Sequence, residues 1–249
     1  MNVVVTGTAS GLGAAIAAAL RGRGWSVIGG DIADGTLDIT SDESVRAFVE
    51  RAGRIDALVN NAGYGLAGAV EETSLEEARA QIEANFWGAV RMAKAVLPSM
   101  RAQGGGRIVN ISSGAGITAG PFHAFYSASK FALEGWTEAL RHEVAPLGIH
   151  AILVEPGSFR TNVARAAKRA VRPLDVYAGP RERVVQTVAR YCEEGSEPTV
   201  LARAVERILD ARRPRLRYRV GPDVRMGYWM RRLLPERLFL KMVARWYGL

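Results

Sequence analysis

Five short apolar runs recur along the chain, at Asn2–Thr6, Ser26–Gly30, Ala57–Asn60, Arg107–Ile111 and Ile149–Glu155, each followed by a stretch of helical periodicity. Runs that are apolar almost throughout suit strands covered on both faces, and a helix between successive strands supplies the crossover that parallel pairing needs. The pattern predicts an α/β fold with a single Rossmann-type, doubly wound parallel sheet flanked by helices. A short strand is expected near Leu37 and a last one at Leu216–Val220. Helices are expected at Leu12–Arg23, Glu43–Gly53, Leu75–Gln103, Phe125–Pro146 and Thr199–Ala211, with Gly104-Gly105-Gly106 ending the third sharply. Residues 158–197, rich in Arg, Ala and Pro, fit this alternation poorly and read as a mobile excursion on the substrate side. The expected division is a Rossmann domain over 1–222 and a helical extension over 223–249.

At 249 residues and 48% hydrophobic content the chain can bury the core of one large α/β domain. It has no run of eighteen apolar residues, so no membrane-spanning helix is expected. Its start, Met1-Asn2-Val3-Val4-Val5-Thr6-Gly7, lacks the basic-then-apolar layout of a signal peptide. One cysteine, Cys192, rules out an internal disulfide and a zinc cluster built on thiolates. A cytoplasmic protein with no metal is expected.

Two motifs point to chemistry. The first strand runs into Thr6-Gly7-Thr8-Ala9-Ser10-Gly11-Leu12-Gly13 and then an Ala-rich helix. Glycines there permit a tight turn and close approach of backbone to a pyrophosphate, whose charge suits a helix N-terminus. Asp31 follows the second strand, where a carboxylate can bind both hydroxyls of an adenosine ribose and repel a 2′-phosphate. NAD is therefore expected over NADP. The second motif is Tyr126-Ser127-Ala128-Ser129-Lys130, which places a phenol and an ammonium on one face of a helix. A fixed ammonium favours the phenolate of a group whose ordinary pKa is about 10, which suits acid–base work near neutral pH.

These motifs, with Asn60-Asn61-Ala62-Gly63, Asn85, Ser113 and Pro156-Gly157 followed by Thr161, occur in the order and spacing of the short-chain dehydrogenase/reductase family. The chain resembles that family from about Asn2 to Thr161, and is similar in flavour to its steroid- and retinol-active branches. The resemblance implies an NAD(P)-dependent oxidoreductase that moves a hydride between nicotinamide and a hydrophobic secondary alcohol or ketone. It implies Tyr126 as general acid/base, Lys130 as the group that lowers its pKa and binds the nicotinamide ribose, and Ser113 as donor to the substrate oxygen. Ser112, its neighbour, should point to the opposite face. Asn85 would hold a water in a proton relay. Gly7, Ser10, Gly11, Leu12, Gly13, Asp31, Asp38, Ile39, Asn61, Ala62, Gly63, Tyr126, Lys130, Pro156, Gly157 and Thr161 would line the cofactor. One departure is that only six residues separate Asp31 from Asp38, so the helix expected there is deleted. A non-catalytic NAD sensor and a dehydratase or epimerase use of the same fold are the alternatives.

Asn60, Asn61 and Asn110 read as structural amides, His123 as a pocket-wall residue, His142 as a surface one, and Cys192 as a passive helix side chain. The segment Ala115–Phe125 is apolar and aromatic and suits a hydrophobic pocket wall. The net charge of +8 resides in the tail: Arg203 to Leu249 holds thirteen Lys/Arg against four Asp/Glu. Two helices broken by Pro235 are expected there, packed on the domain as a partial lid, on a second subunit, or on a membrane surface through a basic amphipathic face. A homodimer or homotetramer is expected. Nucleic acid is not, since no recognised nucleic-acid module accompanies the charge.

Overall fold

The computed structural model describes residues 1–162 and 166–249. Six strands form one parallel sheet: β1 (Asn2–Thr6), β2 (Ser26–Gly30), β3 (Ala57–Asn60), β5 (Gly106–Ile111), β6 (Ile149–Pro156) and β8 (Arg217–Val220), in the order β2-β1-β3-β5-β6-β8. The four inner strands are almost completely buried, which is why their sequences read as continuous apolar runs. Two-residue strands β4 (Leu66–Ala67) and β7 (Lys168–Arg169) pair separately from the main sheet.

Helices cover both faces. On one face α1 (Gly11–Gly22) and α7 (Pro198–Asp210) bury Ile16, Leu20, Leu201 and Val205 against Val3, Val5, Val59 and Val109. On the other, α2 (Asp42–Ala52), α4 (Gly88–Ala102) and α5 (Ala124–Val144) bury Phe48, Met92, Val96 and Leu140 against Val4, Leu58 and Ile108. The helix ends follow local chemistry. Ser41 accepts from Ser44 N at the start of α2, and Ser74 and Glu77 form a reciprocal capping box at the start of α3 (Leu75–Ile82). The tail folds as α8 (Pro222–Leu233) and α9 (Glu236–Trp246), separated at Pro235 as its sequence requires.

Asn60 and Asn110 sit side by side in the middle of the sheet, in register across β3 and β5. Asn60 Nδ2 donates to Asn110 Oδ1 at 2.9 Å and to the Ala89 carbonyl, and Asn110 Nδ2 donates to Thr137 Oγ1 of α5 at 2.8 Å. They are structural amides, as expected.

Two expectations fail, and a third stretch gains detail. No strand forms near Leu37. The polypeptide from 31 to 40 is a run of turns in which Asp31, Asp34 and Asp38 side chains accept from nearby backbone N–H groups, and Leu37 is simply buried beneath them. The long helix expected at 75–103 is divided by a π turn at Glu83–Trp87 into α3 and α4. The stretch 158–197, of which 163–165 lie outside the described residues, contains a 19-residue helix, α6 (Asp175–Glu193), with Pro180 in its first turns. Acids from the segment preceding and opening α3 pin this stretch. Glu72, fully buried, accepts from Leu174 N and Ala69 N and pairs with Arg181, while Glu77 accepts from Val171 N and Tyr177 donates to Glu71.

Removing one partner of a buried ion pair costs about 3–5 kcal/mol because the other charge is left uncompensated. Glu72→Ala should therefore lower unfolding stability by about 3 kcal/mol, read as a fall in the urea midpoint. A change within error would show that α6 is held by other means.

Candidate active site

The sheet order reverses direction between β1 and β3, which opens a crevice beyond their carboxyl ends. The loop after β1 turns through Gly7 and Gly11, both at positive φ, into the N-terminus of α1. Ser10, at the N-cap position, makes no side-chain cap, so the N–H groups of the first turn remain available to an anion. Gly13 does a different job. A Cβ there would lie 2.0 Å from the Gly7 carbonyl oxygen and 2.4 Å from Asn61 Nδ2, so its lack of a side chain lets the helix seat against the loop rather than against a ligand.

The loop is tied down from β3. Thr6 Oγ1 accepts from both Asn61 N and Ala62 N at 3.0 Å, and Asn61 Nδ2 donates to the carbonyls of Thr6 and Gly7. Gly63 packs on the Asn85 side chain, and Thr161 lies across the loop beside Gly11. Asp31, at the end of β2, accepts from Ala9 N at 2.8 Å through one oxygen and from Ala33 N at 2.9 Å through the other. Its carboxylate thus stands at the rim of the glycine loop. Asp38 Oδ1 accepts from Thr40, whereas the Ile39 side chain packs on Gly88 and its carbonyl accepts from Arg91. Pro156 ends β6. Gly157 donates to the Val220 carbonyl and sits so close to Asp223 of α8 that any side chain would collide with it.

Next to the crevice, α5 presents Tyr126 in its first turn and Lys130 one turn later. Lys130 is buried and its Nζ donates to the Ile111 carbonyl at 2.9 Å, while lying 6.0 Å from the centre of the Tyr126 ring. Burial pushes the Lys130 ammonium down to about 8, opposed by the carboxylate of Glu134. Burial also pushes the Tyr126 phenol up; the Ser113 hydroxyl pulls the other way and the Cys192 thiol adds to the rise. Desolvation outweighs the Ser113 hydrogen bond, so the net direction is upward.

Ser113 caps the 3-10 turn at Gly114–Gly116 by accepting from Ala115 N, on the Tyr126 side. Ser112 faces away, toward Glu134, as strand alternation requires. Asn85 lies within the π turn. Its Oδ1 accepts from Tyr64 N, and its Nδ2 donates to the Tyr64 carbonyl and to Ser129 Oγ, which in turn donates to the Tyr126 carbonyl. The side chain is thus committed to fixing the start of α5.

One feature was not read from sequence. Phe122, before α5, adopts φ +57, a conformation unusual for a bulky residue, with its carbonyl accepting from Gly68 N. The end of the tail, for which packing on the domain was one of the expectations, lies against this side of the molecule. A Cβ on Gly120 would meet the Tyr247 hydroxyl at 2.8 Å, Trp246 packs edge-on against Tyr191 of α6 at 5.8 Å, and Arg183 donates to the Gly248 carbonyl. His123 is held by the Pro121 carbonyl at 3.0 Å, and burial pushes its pKa down.

The geometry yields a stability test of the loop. Gly13→Ala forces a Cβ onto backbone and should cost at least about 1–3 kcal/mol. Gly22→Ala, where nothing lies within 4 Å of the added atom, should be neutral or stabilise by up to about 1 kcal/mol. Thermal unfolding of the two variants reads both, and equal stabilities would refute the packing role.

A family profile described as short chain dehydrogenase matches residues 29–172. A 3-ketodihydrosphingosine reductase of Bacteroides thetaiotaomicron is 38% identical, over 90% of this chain and 89% of its own. A solved short-chain dehydrogenase from Streptomyces avermitilis is 34% identical with a TM-score of 0.81, covering 99% of this chain and 96% of that one. A short chain dehydrogenase from Burkholderia cenocepacia, solved in complex with NADP, is 28% identical with a TM-score of 0.77, covering 96% of each.

Proposed function

The chain belongs to the short-chain dehydrogenase family, and on that footing we propose that it is an NAD-dependent oxidoreductase acting on a hydrophobic, lipid-like secondary alcohol or ketone. The observation that carries this reading is the convergence of Tyr126, Lys130 and Ser113 beside the glycine loop. A nicotinamide dinucleotide fits the residues present. The first-turn N–H groups of α1 suit its pyrophosphate, Asp31 its adenosine ribose, and Lys130 its nicotinamide ribose. Gly7, Ser10, Gly11, Leu12, Asp38, Ile39, Asn61, Ala62, Gly63, Pro156, Gly157 and Thr161 surround that path, with Gly13 shaping it from beneath.

Bound, the cofactor supplies the hydride chemistry and, when oxidised, a positive ring. The side chains manage the proton. Ser113 donates to the substrate oxygen, and Tyr126 takes the hydroxyl proton in oxidation or gives it back in reduction. The ammonium of Lys130 favours the phenolate. Oxidation, which needs phenolate, should speed up as pH rises; reduction, which needs phenol, should slow. Asn85 acts by holding Tyr64 and Ser129, and so the first turn of α5, in place.

The lipid-like substrate class rests on the apolar Ala115–Phe125 segment, on the aromatic cover from Tyr191, Trp246 and Tyr247, and on the name of the Bacteroides relative. Preference for NAD rests on the Asp31 carboxylate alone, since a 2′-phosphate would meet its charge.

The test is NADH and NADPH consumption with a panel of long-chain ketones, and the reverse with their alcohols. Tyr126→Phe should lose at least ~100-fold in kcat, as expected for removal of a general acid, and Asp31→Ser should narrow the gap between NADH and NADPH. Full activity in Tyr126→Phe would sink the assignment, and equal use of both cofactors by the wild type would sink the NAD preference.

The tail supports a second reading, of where the enzyme works. On α8, Met226, Trp229 and Leu233 are exposed at a spacing that aligns them in one stripe, with Arg225 and Arg232 exposed alongside. On α9, Leu238 and Leu240 are exposed among Arg237, Lys241 and Arg245. None of the helices in the described residues is long and apolar enough to cross a membrane. We infer peripheral contact of this basic, apolar face with an anionic bilayer, which would deliver a lipid-like substrate next to the lid. Co-sedimentation with phosphatidylserine vesicles, lost in Trp229→Glu/Leu233→Glu and at high salt, is the expected result. A wild-type protein that ignores such vesicles would end the idea.

A further inference from the structure

Behind Lys130, on the side away from Tyr126, lies a group of charges that the reaction above does not use. Glu134 follows Lys130 by one turn of α5 and is 8% exposed; Glu155, near the end of β6, is 1% exposed. Two arginines of β8 face them. Arg217 Nε lies 3.1 Å from Glu134 Oε2 and 3.4 Å from Glu155 Oε1, and Arg219 Nε lies 2.9 Å from Glu155 Oε2. Arg217 is shared, since its second nitrogen pairs with Glu138 of α5 at 2.5 Å. Arg219 is drawn toward α8, with its guanidinium 3.5 Å from the centre of the Tyr228 ring. From the end of β5, Ser112 Oγ completes the set. Ser112, Glu134 and Lys130 converge on Gly116, where a Cβ would meet Ser112 Oγ at 2.7 Å, Glu134 Cγ at 3.2 Å and Lys130 Cβ at 3.3 Å.

Two buried carboxylates that reach the same guanidinium nitrogen lie close enough to repel, and one proton held between them relieves the repulsion. The hydrogen bonding agrees. Among the described residues Glu134 Oε1 and both carboxyl oxygens of Glu155 lack a well-aligned hydrogen bond despite the charged neighbours, and a carboxyl proton shared by the pair would supply one. We propose that Glu134 and Glu155 form a proton-sharing pair, and that Glu134 is a positioning residue whose charge sets the charge state of Lys130 and through it the acidity of Tyr126. The directions of titration fit. Burial and the neighbouring Glu134 push Glu155 up to about 7, burial pushes Glu134 up as well, and the Glu134 carboxylate raises Lys130 against its own desolvation.

The signs of the two single substitutions are opposite. Glu134→Gln removes the carboxylate that supports the Lys130 ammonium, so Lys130 should lose its proton at lower pH and the Tyr126 phenol should become weaker as an acid. Glu155→Gln removes the competitor for the shared proton. Glu134 then ionises more completely, Lys130 holds its proton to higher pH, and Tyr126 becomes more acidic. A purely structural role would move both variants the same way.

The inference rests on Tyr126 and Lys130 acting as proposed above, so one measurement is chosen that needs no substrate. The chain's lysines are Lys94, Lys130, Lys168 and Lys241, so carbon-13 labelling of the lysine ε-carbons gives a resolvable titration, with Lys130→Arg for assignment. Relative to wild type, the Lys130 midpoint should fall in Glu134→Gln and rise in Glu155→Gln. Unchanged midpoints, or shifts in one common direction, overturn the proposal. Should either variant fail to fold, carbon-13 glutamate spectra of the wild type decide instead: a carboxyl titrating near pH 7 supports the pair, and its absence overturns it. The second arm is the pH profile of alcohol oxidation. Its ascending limb should move up in Glu134→Gln and down in Glu155→Gln, by about tenfold in kcat/KM at fixed pH for each unit moved. Opposite lysine shifts with no Tyr126-dependent turnover in any variant would leave the pair standing and sink the functional reading instead.

Discussion

A buried ammonium must be given an acceptor, and much of the site follows from how that is done for Lys130. Its Nζ donates to the carbonyl of Ile111, the last residue of β5, so the first turns of α5 are pinned to the carboxyl end of the sheet. That contact fixes the height of Tyr126 above the strand ends. It also explains why Gly116 has no side chain, since one there would push into the space shared by Lys130, Glu134 and Ser112. Ser129, between Tyr126 and Lys130, carries the constraint onward to Asn85 and the π turn.

A second framework ties the glycine loop to the sheet. Thr6 accepts from two consecutive backbone N–H groups after β3, and Asn61 returns two hydrogen bonds to the carbonyls that open the loop. The loop is thereby shaped before any ligand arrives, which lessens the ordering cost of binding. Asp31 joins it from β2 through Ala9 N. The two frameworks meet across the reversal in strand order, where an open α/β sheet places its ligands.

What could be read from the sequence was whatever rests on periodicity or on residue type at fixed spacing. The five apolar runs became strands because burial on both faces leaves little choice of residue. Tyr126 and Lys130 came together because a helix turn joins them. Leu37 misled because one apolar residue was read as a strand, while the surrounding Asp and Thr side chains satisfy the backbone as turns. Helix α6 was hidden by Pro180 and by many arginines; its support comes from Glu71, Glu72 and Glu77, far away in the sequence. The π turn has no sequence period of its own. Glu134 drew no notice in the sequence, and only the placement of β6 and β8 shows it buried and sharing Arg217 with Glu155. The burial of Tyr126 was hidden for the same reason: spacing reports the neighbouring charge but not the loss of water.

The amide pair at the centre of the sheet has a consequence for how the chain finds this fold. Inner strands made of Val, Ile, Leu and Ala offer few apolar distinctions between one alignment and the next. Asn110 opposite Asn60 supplies a distinction in polarity. A slip of one residue would set Asn110 opposite Val59 or beyond the end of β3, and turn its side chain to the face away from Thr137. Each buried amide left without its partner would cost about 1–3 kcal/mol. Two polar side chains buried in a greasy sheet thus act as an alignment mark, penalising mispaired strands more than they stabilise the correct pairing.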